Sequence, residues 1–482
     1  MRGNPWTREE RLTKLKFKKV AELNPVYDVI VAGSGLGGLT AANILAANGL
    51  KVALAEQHWQ LGGLATWFKR KQHIFDVALH GFPVGMKKTL RKYWSKEMAD
   101  RIVQVKSIRY DNPQFQVDTD FTETDFTRIL VEKFGQPREH VEAFYRELAG
   151  MNFYDERTMT NRELFDRYFP GRNDIVRLLM EPITYANGST LDEPAITYGI
   201  VFSNFMSKGV YTFLGGTDTM IGMMESELLK NGVDLLTSAR VEKVGIAGGK
   251  VVSATVNGRE IRCRAVLSNG NILKTVHDWV GDTHFPPTFL EKVRATRLNN
   301  SSCQVYIGLK PGAGFDYIGD LLFTSVYPKF DPARLVAADV TSRTYSVYYP
   351  EIRPGSTDYT VVASMNACYE DWAGLDENTY RSRKQHLIEI TLDNLDHYIP
   401  GIRDKVDYLD AATPKTFEHY TLHGGGASFG TKFEGLEVSM KLPEQIGGLF
   451  HAGSVGIIMS GWLGAANYGV IVAHNVDKYL GT

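Results

Sequence analysis

The chain has 482 residues, 43% of them hydrophobic and 23% charged, with a formal net charge of −1; one core rarely serves that length, so two domains are expected. The near-neutral balance leaves no electrostatic footprint for nucleic acid, and none is expected as a partner. Cys263, Cys303 and Cys368 stand far apart without ligand spacing, which excludes a disulfide framework and a metal site and fits a cytoplasmic location.

Residues 1–24 read as a basic leader. Its first twenty residues carry Arg2, Arg8, Arg11, Lys14, Lys16, Lys18 and Lys19 against Glu9 and Glu10, a net +5. Thr7 and Glu10 have the spacing of a capping box. The plain reading is a solvated leader. The functional one is contact with an anionic membrane surface, at about 1 kcal/mol per basic residue near the lipid, which would make the protein peripheral on an inner membrane face. No apolar signal-peptide run is seen.

Residues 27–56 form a dinucleotide fingerprint. Val29 to Val31 read as a buried strand, and Leu39 to Asn48 as a helix. A second strand, Val52 to Ala55, ends at Glu56. Between strand and helix lie Gly33, Ser34, Gly35, Leu36, Gly37 and Gly38. In this G-x-G-x-x-G spacing Gly33 permits the tight turn, Gly35 lets backbone approach a pyrophosphate, and Gly38 lets helix pack on strand. The helix N-terminus offers unpaired N–H groups to phosphate, and Glu56 suits a ribose diol. Gln57 follows, and then a second glycine pair, Gly62-Gly63, with Leu64. That pair suits a chain folding back over the pyrophosphate of a longer cofactor. Phe75 to Gly81 close a short strand and contain His80.

Beyond this the pattern divides into inserts and returns. Residues 85–209 are aromatic-rich and helical in pattern, with apolar spacing over Asp125–Val131 and Val141–Leu148. Ile200–Met206 and Val210–Leu214 are apolar and aromatic, fitting either a plain core or a tunnel wall. Residues 275–439 alternate strand-like runs (Cys303–Leu309, Tyr359–Ser364) with a helix around Ser382–Tyr398. Thr421–Gly430 is a glycine-rich loop. Val455–Ala473 is largely apolar but carries Ser460, Asn467 and several glycines, which suits a buried loop and helix better than a membrane span.

Five separated segments carry a family resemblance. They are the fingerprint itself, Tyr211-Thr212-Phe213-Leu214-Gly215-Gly216-Thr217, the Gly232–Leu236 and Ala239–Val244 pair containing Val241, Ala265-Val266-Leu267-Ser268-Asn269-Gly270, and Gly448–Ser454 followed by Ser460-Gly461-Trp462-Leu463. Together, over nearly the whole chain, they resemble the bacterial-type phytoene desaturase group, with carotenoid isomerases and retinol saturases, inside the amine-oxidase-like superfamily. The sequence departs from the pattern at Leu64, where an Arg is frequent, at Val77-Ala78, and at Ser454, where an acid is frequent.

The resemblance implies an α/β protein. A Rossmann-type FAD-binding domain would be assembled from 25–84, 210–274 and 440–482, and a mixed α+β substrate domain from 85–209 and 275–439. FAD is the implied cofactor. Its binding residues would be Gly33, Ser34, Gly35, Leu36, Gly37, Gly38, Glu56, Gln57, Gly62, Gly63, Leu64, Val241, Ser268, Asn269, Gly453, Ser454, Gly461, Trp462 and Leu463. The implied activity is desaturation, saturation or isomerisation of carbon–carbon double bonds in an apolar, lipid-like isoprenoid, with hydride exchanged at the flavin. The electron partner stays open, with quinone or oxygen as acceptors. His80 is the acid–base candidate, against an interface histidine as the plain reading; Tyr185, His419 and His423 are weaker. A flavin amine oxidase and a non-catalytic, FAD-stabilised partner in a complex are the alternatives.

Overall fold

The structure is a computed structural model that describes residues 17–78, 81–152, 159–206, 208–456, 459 and 461–481. Most of the basic leader, His80 and Ser460 therefore lie outside the described residues. The end of the leader is tied to the body: the Lys18 backbone N–H donates to Leu235, and its ammonium pairs with Asp234 at 2.7 Å.

Two seven-stranded sheets organise the molecule. In the first, Asp234–Leu236, Val52–Ala55, Val26–Ala32 and Arg259–Ser268 run parallel in that spatial order. Leu449–His451 adds in parallel to Arg259–Ser268. The short apolar runs Val29–Val31 and Val52–Ala55 are buried throughout, as expected of strands covered on both faces. Arg259–Ser268 also continues into an antiparallel ribbon with Lys250–Val256 and Val241–Ala247. Strands separated by some two hundred residues thus meet in one Rossmann-like sheet, which is the discontinuous α/β architecture expected.

The second sheet has the order Val406–Ala412, Ser301–Leu309, Thr360–Ala367, Ser342–Tyr348, Leu321–Ser325, Ile108–Asn112 and Phe115–Thr119. Its last two strands come from the first insert, whose helical spacing had promised helices. That stretch alternates buried and exposed residues with the period of a strand, and Ile108 pairs in parallel with Leu321. Both inserts therefore share one sheet. Helices Glu123–Arg128, Arg138–Gly150 and Asn173–Asn187 of the first insert build a second core against it. The helix Glu377–Asp396 covers the outer face of the sheet, where its Leu387, Leu392 and Leu395 form a third core with Val305 and Ala363.

The long C-terminal helix, Gly461–Leu480, returns to the first sheet and crosses Leu36–Ala47. A Cβ on Gly469 would collide with the backbone of Gly37, the Gly37 Cα standing 2.9 Å away. From Gly461 onward the apolar stretch is thus a packed helix. Among the described residues no helix is long and apolar enough to cross a membrane.

Candidate functional site

The glycine turn is a tight, self-braced structure. Gly33 has φ +101°, a conformation that favours glycine. Glu56, at the end of the second strand, accepts hydrogen bonds through Oε2 from the Ser34 N–H at 2.8 Å and the Ser34 hydroxyl at 2.6 Å. Its Oε1 accepts from the His58 N–H at 2.8 Å. The second glycine pair zips onto the first turn: Gly35 and Gly62 form a parallel bridge, and the Gly62 N–H donates to Ser34. Gly62 and Gly63 both have positive φ, and a Cβ on Gly63 would stand 3.0 Å from the Gly35 Cα.

A cavity of about 1040 Å³ opens from this turn. That is the upper end of the usual size of a ligand site. Of the residues the sequence nominated, Gly33, Ser34, Gly35, Leu36, Gly37, Glu56 and Gln57 line it, as do Gly62, Gly63, Leu64, Val241 and Asn269. Ser454, Gly461, Trp462 and Leu463 line it too.

Three nominated residues do not line the cavity. A Cβ on Gly38 would run into the Gly33 carbonyl, so Gly38 serves helix-on-turn packing. Ser268 is fully buried; its hydroxyl meets Thr275 at 2.7 Å and accepts from the Gly270 N–H at 3.2 Å. Gly453 packs on the Gly270 carbonyl and lies 2.6 Å, by its would-be Cβ, from His451 Nε2. His80, nominated for catalysis, lies outside the described residues.

The residues present fit a dinucleotide cofactor. Helix Leu36–Ala47 has Gly35 as its N-cap, with no side-chain cap bond. Its first-turn N–H groups are therefore left for an anion at the positive end of the helix dipole. Gly35, Gly62 and Gly63 bring no side chains of their own into the cradle. Leu64 supplies no charge where a cation was expected. Arg70, Arg240 and Lys274 do line the cavity; Arg240 stands next to the nominated Val241, while Arg70 and Lys274 had not been singled out. Trp462, also on the cavity wall, stacks on Phe82 with ring centroids 5.4 Å apart and planes at 15°.

Asn269 holds the pieces together. Its N–H donates to Ala32, its side-chain Nδ2 donates to the Ala452 carbonyl at 2.6 Å, and its Oδ1 faces Gly35. Nearby runs a fully buried relay: Tyr468 hydroxyl, Ser439 hydroxyl, His451 Nδ1, then His451 Nε2 to the Gly270 carbonyl at 3.0 Å. Burial pulls the His451 imidazole down to about 4, so it is neutral at pH 7.

A second buried network locks the site from outside. Asp76, which follows Phe75 on its strand, accepts from the Thr217 N–H at 2.6 Å and from the Thr217 hydroxyl. Its other oxygen pairs with Arg353 at 2.7 Å, and Arg353 also pairs with Asp218 and donates to the Gly215 carbonyl at 2.8 Å. Three distant segments meet at one guanidinium. Sequence spacing gave no sign of Arg353.

Beyond the cofactor-like cradle the cavity becomes a chamber. One wall is apolar, with Phe121, Ile183, Ile200, Val201 and Phe323. The run Ile200–Met206 divides between the two readings it allowed: Ile200 and Val201 line the cavity, while Phe202 is buried in the core against Tyr198. Tyr185 and His423 also line it, whereas His419 does not. Burial lowers the basicity of His423, whose Nδ1 meets the Ala427 carbonyl at 3.0 Å. Among the described residues no group of three or more His, Cys, Asp or Glu is placed to hold a metal ion.

Comparison with known proteins agrees with this geometry. The sequence profile described as flavin containing amine oxidoreductase matches residues 36–455. Prolycopene isomerase 2 of an Oncidium hybrid cultivar is 23% identical, over 94% of this chain and 84% of its own length. All-trans-retinol 13,14-reductase of Danio rerio is 23% identical, over 84% of this chain and 77% of its own. A crystal structure of an oxidoreductase from Methanosarcina mazei shares the fold, with a TM-score of 0.65 and 17% identity over 94% of this chain and all of that one.

Proposed function

The chain belongs to the flavin-containing amine oxidoreductase family and binds FAD, and from that premise we propose that it acts on carbon–carbon double bonds of a long, apolar, isoprenoid-like substrate. The reaction is a desaturation, a saturation or an isomerisation. The observation that carries this reading is the lining of one cavity: the glycine cradle, Trp462 and the apolar Phe121, Ile183, Ile200 and Phe323 all border the same space. The isomerase and retinol reductase among its relatives support the same substrate class.

When bound, the flavin supplies a hydride acceptor or donor, so the protein needs to bind, orient and keep dry rather than provide a nucleophile. In this reading Gly33–Gly37 and Gly62–Leu64 hold the pyrophosphate, and Glu56 the ribose. Val241 passes the adenine end, and Gly461–Leu463 bring the C-terminal helix to the flavin. Segments 25–84, 210–274 and 440–482 serve the cofactor, and 85–209 with 275–439 the substrate. His80 is the proposed acid–base group for a polyene carbon.

The test is spectroscopic. Purified protein is expected to be yellow or to become so with FAD, and to change the absorption band of a carotenoid or retinoid. Hydrogen peroxide released from amines, with polyenes untouched, would favour amine oxidation instead.

A further inference from the structure

The lining of the chamber is not uniform. The inner face of the second sheet contributes Phe323, and beside Phe323, from Thr344 onward, that face turns polar. Ser302 and Gln304 on one strand, Ser364 and Asn366 on the next, and Thr344 on the third all line the cavity. Their placement follows from register. Gln304 pairs with Ser364 and Ser364 with Thr344, while Ser302 pairs with Asn366, so the side chains form a stripe across three strands. The intervening residues Cys303, Val305, Ala363 and Met365 point to the other face, into the third core. A plain hydrocarbon tunnel would not place buried carboxamides and hydroxyls here, because burying a polar group without a partner costs free energy.

The stripe is neutral. The Thr344 hydroxyl donates to the Ser364 carbonyl at 3.3 Å and the Ser302 hydroxyl meets that of Ser428 at 3.1 Å, so its spare capacity lies in the two carboxamides. Gln304 Nε2 donates to the Ser364 hydroxyl at 3.2 Å, and Gln304 Oε1 accepts from the Tyr306 hydroxyl. Asn366 Nδ2 donates to the Thr184 carbonyl at 2.9 Å. A carboxamide has two N–H donors and two acceptor lone pairs, so these bonds leave both Gln304 and Asn366 with capacity toward the cavity. Gln304 is 3% exposed and Asn366 6%. The charged pair at the sheet edge, Lys384 with Asp410 at 2.7 Å, is mutually compensated.

Resting on the reading of the chamber as a substrate site, we propose that this stripe binds one neutral oxygen function, a hydroxyl or carbonyl, on the otherwise apolar substrate. The protein is then selective for an oxygenated isoprenoid over the matching hydrocarbon. A site built to hydrogen-bond a substrate oxygen discriminates strongly against an analogue lacking it, because its own polar groups are left unpaired.

The experiment compares two probes that differ in one atom, all-trans-retinol and its deoxy hydrocarbon analogue, by quenching of the bound flavin's fluorescence in the full-length holoprotein. Retinol is expected to bind at least ten-fold more tightly. The near-isosteric variants Gln304→Met and Thr344→Val, with flavin absorbance confirming the fold, are expected to remove most of that preference while leaving hydrocarbon affinity within about three-fold. Equal affinities in the wild type, or a preference untouched by both variants, would overturn the stripe and leave the polyene reading standing. Binding of neither probe would overturn the polyene reading, and this inference with it.

Discussion

Asn269 Oδ1 lies 2.5 Å from where a Cβ on Gly35 would stand. The central glycine of the fingerprint is thus constrained by a protein side chain as well as by the cofactor path. Gly35→Ala is expected to destabilise the protein by about 1–3 kcal/mol through overpacking and to weaken FAD retention. In an Asn269→Ala background the added cost should fall below about 1 kcal/mol. A thermodynamic cycle from urea unfolding measures this coupling; strict additivity would mean that Asn269 is not the obstruction.

The crossing of Leu36–Ala47 and Gly461–Leu480 depends on Gly469, whose Cβ would meet the Gly37 backbone. Backbone cannot swing aside as a flexible side chain can. Gly469→Ala is expected to cost about 2 kcal/mol and to raise the FAD dissociation constant, because the displaced helix carries Trp462 and Leu463. Gly222→Ala, on an open helix face with nothing within 4 Å, should leave FAD affinity unchanged and serves as the control.

Arg353 bridges Asp76 and Asp218 where little water reaches, and burial pushes the Asp218 carboxyl upward. Arg353→Met leaves these carboxylates facing each other without a cation. The expected loss is about 3–5 kcal/mol, read as a fall in unfolding free energy. Because Asp76 also binds Thr217 at the start of helix Gly216–Lys230, limited proteolysis should find that junction opened. A loss below about 1 kcal/mol would show that the network is not needed.

These cases show what could be read from letters. The fingerprint was legible because apolar runs, glycines and Glu56 are local and each has one physical job. Asn269 was legible only through family resemblance, since its partners lie in two other segments, the fingerprint turn and Ala452. Arg353 was not legible at all: a guanidinium 277 and 135 residues from its two carboxylates leaves no periodic trace. Strands Ile108–Asn112 and Phe115–Thr119 were hidden by the helical spacing around them. The polar stripe was hidden for the same kind of reason: Gln304 and Asn366 look like ordinary strand residues until register brings them together.

His451 gives a pH prediction. Its imidazole is held down to about 4 from an ordinary 6.5 by burial beside Ser439, Tyr468 and His423. The unfolded chain therefore binds more protons between those values, and stability falls as pH drops from 6.5 through 4. The full loss is about 3 kcal/mol at 1.36 kcal/mol per pKa unit. His423, also lowered by burial, acts in the same direction. His451→Gln should flatten the acid limb of unfolding free energy against pH while costing stability at pH 7. An unchanged limb would contradict the assignment.

The most direct test of the central claim is anaerobic mixing of the flavin-loaded protein, in both its oxidised and its dithionite-reduced forms, with a polyene. Absorbance is followed at the flavin band and at the polyene band together. Flavin-dependent chemistry on carbon–carbon double bonds predicts that at least one redox form changes the polyene spectrum, with bleaching or reoxidation of the flavin, or with an isomer shift and no net flavin change. A polyene band unaltered by either form, while an amine bleaches the oxidised flavin, would contradict it.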